Sequence, residues 1–168
     1  CMETYEALRA LDYPNLILGI HTVISRYNVG EIPEICAFFA GKGPDSFIAE
    51  IAEERVELGT VGSGIAPSAE EYGVAADFLI RQAGQAGSSG ISGITRAFRR
   101  EYYERVREVL RRREQVIPCY AGFASAQIAP DGDVWTCCVR AEPVGNLRNA
   151  EYDFGKIWFG AGAERLRA

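Results

Sequence analysis

The sequence has little of several residue types that mark common classes of protein. Its 168 residues include one histidine, one methionine and five cysteines, and the formal net charge is −5. No uninterrupted apolar run approaches the roughly 20 residues that a membrane-spanning helix needs. The negative charge leaves no overall positive surface to neutralise phosphates. We therefore expect a chain that does not span a membrane and has neither a membrane nor nucleic acid as a partner.

The cysteines are too few and too irregularly spaced for the disulfide framework of a small secreted domain. No basic and apolar leader follows Met2. We therefore predict a reducing, cytoplasmic location, where clustered cysteines indicate a metal site or catalysis. The glycine-rich segments TVGSG and GQAGSSGISG lack the following Lys-Ser or Lys-Thr pair of a phosphate-binding loop, so we interpret both as connectors.

What the chain does contain is typical of a folded globular protein, with 48% apolar and 24% charged residues. The segment LILGIHTVI (16–24) is nearly continuous in apolar and β-branched residues, which predicts a strand buried on both faces of a parallel sheet. An apolar stripe over residues 32–39 predicts a helix, with Asn28 as its cap, and SFIAEIA (46–52) predicts a second strand. The order of these elements is that of a βαβ unit.

The middle of the chain predicts helices rather than strands. The segment from Ser68 to Gln82 carries apolar residues at helical spacing. So does the segment from Thr95 to Glu114, which has eight arginines against four glutamates. We interpret this Arg-rich segment as a packed helix with a solvated face, and the alternative is a surface that binds a partner.

The C-terminal part has the signals of short strands and tight turns. The residues Pro130-Asp131-Gly132-Asp133 are typical of a turn and predict a β-hairpin over residues 125–139. A second turn is predicted at Gly145-Asn146. Helical segments near the end are predicted to cover the hairpin, and the residues expected to pack there are Trp135, Ile157, Trp158 and Leu166.

Two cysteines flank this predicted hairpin. Cys119 is followed by twelve residues, Gly132, four residues and Cys137. Because the arms of a hairpin lie about 5 Å apart, a residue before the first arm and one at the end of the second can meet. Converging thiolates suit zinc or an iron–sulfur cluster, and two cysteines alone do not decide between them. The alternative is that both are buried as small apolar residues.

The cysteine spacing occurs together with PDGDV, WTC, VGNLRN and KIWFG, over residues 119 to about 160. This combination resembles the SPASM or twitch auxiliary domain of radical SAM enzymes. The resemblance implies that Cys119 and Cys137 are ligands of an auxiliary 4Fe-4S cluster. Cys138 is the weaker metal-ligand candidate, because strand alternation is expected to turn it to the opposite side.

The segment LILGIHTVISRYNVGEIPEI resembles the late half of the radical SAM barrel. The fold class implied is α/β: a partial (β/α) barrel of late strands and helices at 1–60, a helical connector at 61–116, and a small α+β SPASM/twitch domain with a β-hairpin at 117–168. Barrel enzymes hold their reactive centre at the C-terminal ends of the strands. His21 and Glu50 are therefore expected to be cofactor-binding residues, and the alternative for His21 is a hydrogen-bonded histidine of the core.

The sequence departs from this family in one decisive motif. The triplet CxxxCxxC, which binds the cluster that cleaves S-adenosylmethionine, is absent, and full SPASM domains carry further cysteines after the closing helix. We therefore expect an internal or C-terminal fragment of a radical SAM enzyme, with a truncated SPASM/twitch domain, that is catalytically inert alone. The resemblance implies that the parent uses S-adenosylmethionine, a second 4Fe-4S cluster, a reductant such as flavodoxin or ferredoxin, and a peptide, protein or small-molecule substrate.

Two non-catalytic functions remain as alternatives. The first is a zinc-binding module for a protein partner, with Cys119, Cys137 and Cys138 as ligands. The second is a metal-free interaction module that uses the Arg-rich helix. Bound iron and sulfide would indicate the radical SAM fragment, bound zinc the zinc-binding module, and no bound metal the metal-free module.

Overall fold

The computed structural model describes residues 2–85 and 91–167. Cys1 and the central part of the GQAGSSGISG segment lie outside the described residues. The architecture is mixed α/β, with two small sheets and several helices, and the described residues form no closed barrel. None of the helices in these ranges has the length and apolar character needed to cross a membrane.

The chain packs as two units, which are described separately. The first, called the N-terminal unit, comprises the described residues of Cys1–Ala52 and Ala66–Glu114. The second, called the C-terminal unit, comprises Glu53–Ile65 together with the described residues of Gln115–Ala168. The predicted domain boundaries at residues 60 and 116 stay predictions. The two units are defined by which residues pack together, and such units need not coincide with domains.

The N-terminal unit contains the expected βαβ arrangement. Its two strands run parallel, in a register that pairs Gly19 with Ser46 and Ile24 with Ile51. The prediction of a βαβ unit from these apolar runs is therefore confirmed. Its elements are α1 (Met2–Arg9), β1 (Gly19–Ile24), α2 (Ile32–Ala40), β2 (Ser46–Ile51), α3 (Ala69–Gln85) and α4 (Ile91–Arg112).

Burial of the first strand differs from the prediction. Ile24 is fully buried, but Val23 is 51% exposed and His21 is exposed as well. The strand alternates because its sheet has two strands within the described residues, and the helical core packs on one face. That core is centred on Ile24, Ile32, Tyr72, Ala76 and Tyr103.

Asn28 does not cap a helix as predicted. Its side chain makes no capping hydrogen bond to the 3-10 turn Val29–Glu31 that precedes α2. Instead Nδ2 donates to the carbonyl of Val23 at 2.9 Å, and Oδ1 accepts from the backbone N–H of Ser25 at 2.8 Å. Asn28 therefore closes the corner after β1. The Ser-x-x-Glu capping box of this unit lies at Ser68 before α3.

The C-terminal unit is built on a three-stranded antiparallel sheet. Its elements are β3 (Gln127–Ile128), β4 (Asp133–Trp135), β5 (Pro143–Asn146), α5 (Phe154–Trp158) and α6 (Ala161–Arg167). The hairpin prediction is confirmed by the β3–β4 pairing. The turn predicted at Gly145-Asn146 is wrong, because both residues belong to β5, where Ile157 of α5 packs closely over the glycine.

The centre of this unit consists of smaller residues than predicted. Val134 is fully buried, Ile157 is 6% exposed and Ala163 is fully buried. Both tryptophans are half-buried, so they border this core rather than form it. Trp158 stacks on Phe154, with ring centroids 5.5 Å apart.

Candidate metal centre

The turn between β3 and β4 is fixed by backbone hydrogen bonds. The Gly132 N–H donates to the carbonyl of Ala129, and the Ala129 N–H donates to the carbonyl of Asp133. Gly132 has a φ of +95°, which favours glycine, and a Cβ there would lie 3.2 Å from Oδ1 of Asn146. Asn146 in turn donates to the Asp133 carboxylate at 2.8 Å. The glycine between the two cysteines is therefore required by this turn.

A second tight turn follows Cys119. The carbonyl of Tyr120 accepts hydrogen bonds from the N–H groups of Phe123 and Ala124, and the Gly122 N–H donates to the carbonyl of Ser125. Gly122 has a φ of +81° and packs directly on Thr136. A Cβ at this glycine would lie 3.1 Å from Cβ of Thr136. We call residues 120–125 the Gly122 turn.

This contact brings together the two segments that carry the predicted ligands. Cys119 immediately precedes the Gly122 turn, and Cys137 immediately follows Thr136. Thr136 itself is 9% exposed. The segments are therefore joined by a close packing contact and not by the hairpin alone.

Cys137 and Cys138 lie outside the strand. β4 ends at Trp135, and the next residues form a turn in which the Ala141 N–H donates to the carbonyl of Cys137 at 3.0 Å. The expectation that strand alternation directs Cys138 to the opposite side of the strand is therefore wrong. Cys119 is exposed, Cys137 and Cys138 are half-buried, and all three are free thiols.

The thiols fit an iron–sulfur ligand set by their chemistry. Within residues 2–85 and 91–167, no three His, Cys, Asp or Glu side chains are grouped closely enough to hold a metal ion. The C-terminal unit does contain two buried N–H groups without a hydrogen-bond partner, Nε1 of Trp135 and Nη2 of Arg167. Sulfurs of iron–sulfur clusters accept such hydrogen bonds. The C-terminal unit thus contains both thiols that can ligate iron and buried N–H groups that have no hydrogen-bond partner.

The loop Glu53–Ile65 contributes the positively charged side chain of Arg55 to the C-terminal unit. The Val56 N–H donates to the carbonyl of Val139 at 3.1 Å, next to Cys138. The pKa of Arg55 is raised, first by its hydrogen bond to Glu53 and further by its electrostatic interaction with Cys138. Sequence reasoning missed Arg55, because no local pattern indicates that this loop packs beside residues 138–139.

His21 and Glu50 are adjacent on the exposed face of the β1–β2 sheet. His21 pairs with Ile48 and Glu50 with Val23, so the two polar residues are diagonal neighbours. Nε2 of the histidine lies 3.1 Å from Oε2 of the glutamate, and each side chain is about half exposed. The alternative of a core histidine is therefore wrong. An exposed pair of this kind contributes only about 0–1 kcal/mol to stability.

Cys36, which belongs to the apolar stripe over residues 32–39, has a structural role. It lies on α2 and packs against the core of the N-terminal unit. Burial raises the pKa of its thiol, which keeps the group neutral. This cysteine is therefore not part of the candidate centre.

Comparison with known proteins identifies the segment that carries the three thiols. Residues 119–168 match the family model of SPASM, described as an iron-sulfur cluster-binding domain. The chain contains a SPASM domain. The match begins at Cys119 and includes the hairpin, β5 and both terminal helices. No curated protein and no solved structure gave a match to the chain.

The matched segment includes sequence features that were grouped with the cysteines. The turn glycine Gly132 and the α5 residues Ile157 and Trp158 all lie within the matched segment. Arg167, which sequence reasoning also missed, lies within it too. No signal in the sequence distinguishes this arginine from its exposed neighbours, because the carbonyl that accepts its hydrogen bond lies in a turn 45 residues away.

Proposed function

We propose that the SPASM domain of this chain binds an auxiliary 4Fe-4S cluster and that the chain is part of a radical SAM enzyme. Cys119 and Cys137 are the proposed ligands, and Cys138 is the third candidate. The family match of residues 119–168 carries the proposal. The packing of the Gly122 turn on Thr136 supports it, because this contact joins the segments that bear the first two thiols.

The residues of the chain have distinct roles in this proposal. Cysteine thiolates are the usual protein ligands of iron–sulfur clusters, and a bound cluster supplies one-electron chemistry. The turn at Gly132 reverses the chain between the two ligands. The half-buried position of Cys137 limits the access of water, and Arg55 provides a positive charge beside Cys138.

The N-terminal unit is proposed to form part of a (β/α) barrel wall. A parallel βαβ segment is the repeating unit of such barrels, whose strands direct alternate side chains to the interior. The exposed face with His21 and Glu50 is then the interior face. We assign this pair to binding S-adenosylmethionine, since a carboxylate and an imidazole can hydrogen-bond its polar groups.

The remaining parts of the proposal concern the parent enzyme. Reductive cleavage of S-adenosylmethionine requires a second 4Fe-4S cluster, whose CxxxCxxC motif does not occur in these residues. The parent is proposed to act in the cytoplasm, with flavodoxin or ferredoxin as reductant and a peptide, protein or small molecule as substrate. The chain alone is proposed to be catalytically inactive.

Anaerobic reconstitution with iron and sulfide tests the proposal. A small thiol in the buffer can supply a missing ligand. We expect a brown protein in which iron and sulfide are bound in similar amounts. The Cys119→Ala variant and the double variant Cys137→Ala with Cys138→Ala should lose most of both. The Cys36→Ala variant is the matched control, since it removes a half-buried thiol from the other unit.

Three results would contradict the proposal. A colourless protein that retains zinc would instead support the zinc-binding module. A protein that binds no metal, with unchanged stability in the cysteine variants, would support the metal-free module. Equal loss of iron from Cys36→Ala and Cys119→Ala would show that the iron is bound without a specific site.

A further inference from the structure

Arg167 connects the last helix to the turn that follows Cys119. Its Nε donates to the carbonyl of Gly122 at 2.6 Å. Its guanidinium carbon lies 4.3 Å from the ring centroid of Trp158, which places the cation over the face of the indole. Arg167 is half-buried, and these two contacts hold its guanidinium in a fixed position. The side chain thus fixes the Gly122 turn from the side of α6.

One nitrogen of this guanidinium has no partner. Nη2 of Arg167 is buried and makes no hydrogen bond within the described residues. A buried charged donor without an acceptor is unfavourable, so such a group calls for an explanation. Because Nε of the same planar group is bound to Gly122, Nη2 is held at the turn next to Cys119. It is therefore an unused donor at a turn that begins one residue after a proposed ligand.

We propose that Arg167 is a positioning residue of the iron–sulfur site, which holds the Gly122 turn through Nε and donates through Nη2 to a sulfur of the ligand set. This inference rests on the proposed function of the SPASM domain. It also explains why an arginine fits this position, since its planar guanidinium holds the N–H groups of Nε and Nη2 in a fixed geometry. A lysine has the same charge and lacks this geometry.

The test compares Arg167→Lys with the wild-type chain and with Arg165→Lys. Arg165 is exposed on the same helix and is the matched control. After anaerobic reconstitution, we expect Arg167→Lys to lose iron to a chelator about 10-fold faster, because removing the outer contacts that orient metal ligands weakens metal binding by about 10- to 100-fold. Its midpoint potential should shift to lower values, because hydrogen bonds to sulfur raise the potential. Arg165→Lys should match the wild type in both measurements.

The outcomes separate this inference from the proposed function. If the wild-type chain binds no iron and sulfide, the proposed function fails and the inference fails with it. If the wild type binds a cluster and Arg167→Lys retains it with an unchanged rate of loss and an unchanged potential, the inference alone is refuted. A lower unfolding midpoint of the metal-free Arg167→Lys variant with an unchanged potential would show a purely structural role and would also refute it.

Discussion

Replacing Gly122 by alanine is expected to disturb the packing of the two ligand segments. Gly122 has a φ of +81°, and an alanine in this left-handed conformation costs about 1–2 kcal/mol. The added Cβ would also lie 3.1 Å and 3.2 Å from Cβ and Cγ2 of Thr136. Relief of such crowding typically costs about 1–3 kcal/mol. We therefore expect the variant to lose about 2–5 kcal/mol of unfolding free energy.

Urea denaturation followed by tryptophan fluorescence measures this loss in the correct unit. The sequence contains two tryptophans, Trp135 and Trp158, and both lie in the C-terminal unit. The fluorescence change therefore reports the unfolding of this unit separately from the N-terminal unit. The metal-free protein should be used, so that ligand loss and unfolding are not combined in one transition.

Gly62→Ala is the matched control for this experiment. Gly62 has a similar φ of +77° and belongs to the same unit, but an added Cβ would meet no atom within 4 Å. This variant should lose only the conformational part, about 1–2 kcal/mol. Equal losses for Gly122→Ala and Gly62→Ala would refute the claim that the contact with Thr136 is tight. An unchanged Gly122→Ala variant would refute the whole calculation.

The remaining predictions concern the N-terminal unit. Asn28→Ala should lower its unfolding free energy by about 1–3 kcal/mol, because the backbone groups at the end of β1 lose their partners; circular dichroism in urea measures the loss, and a change within about 0.5 kcal/mol would contradict the assigned role. The pKa of Asp45 is lowered, first by the hydrogen bond from the Leu18 N–H and then by Arg9. Its stabilisation is therefore present above its unfolded pKa of about 3.9 and is lost as the pH falls through the lower folded value. Asp45→Asn should flatten the acid limb of a plot of unfolding midpoint against pH, and an unchanged limb would contradict this interpretation.

Sequence reasoning worked where the signal is local and periodic. The apolar run of LILGIHTVI and the turn residues around Gly132 each determine a backbone conformation within a few residues. The parallel strand β1 and the β3–β4 hairpin are confirmed, whereas the predicted burial of β1 on both faces is wrong. Local reasoning also found the cysteines that flank the hairpin, because their spacing is a property of the chain itself.

Two of the errors and omissions concern contacts between residues that lie far apart in the sequence. Gly145 has the composition of a turn residue, but its place in β5 depends on the packing of Ile157 from a later helix. Asn28 precedes a helix, and its side chain is nevertheless used by the strand before it. Arg167 cannot be recognised before the position of the Gly122 turn is known. For Gly145 and Arg167 the deciding partner is specified by tertiary structure and not by the neighbouring sequence.

The adjacent thiols of Cys137 and Cys138 have a consequence for mutagenesis. In a strand, two consecutive side chains are committed to opposite faces, but these two residues occupy a turn, where no such rule separates them. If the pair binds the proposed cluster, loss of one sulfur leaves the adjacent one as a substitute ligand. Single replacements at this pair would consequently understate its importance, and a spare ligand would make the site tolerant of damage to either residue.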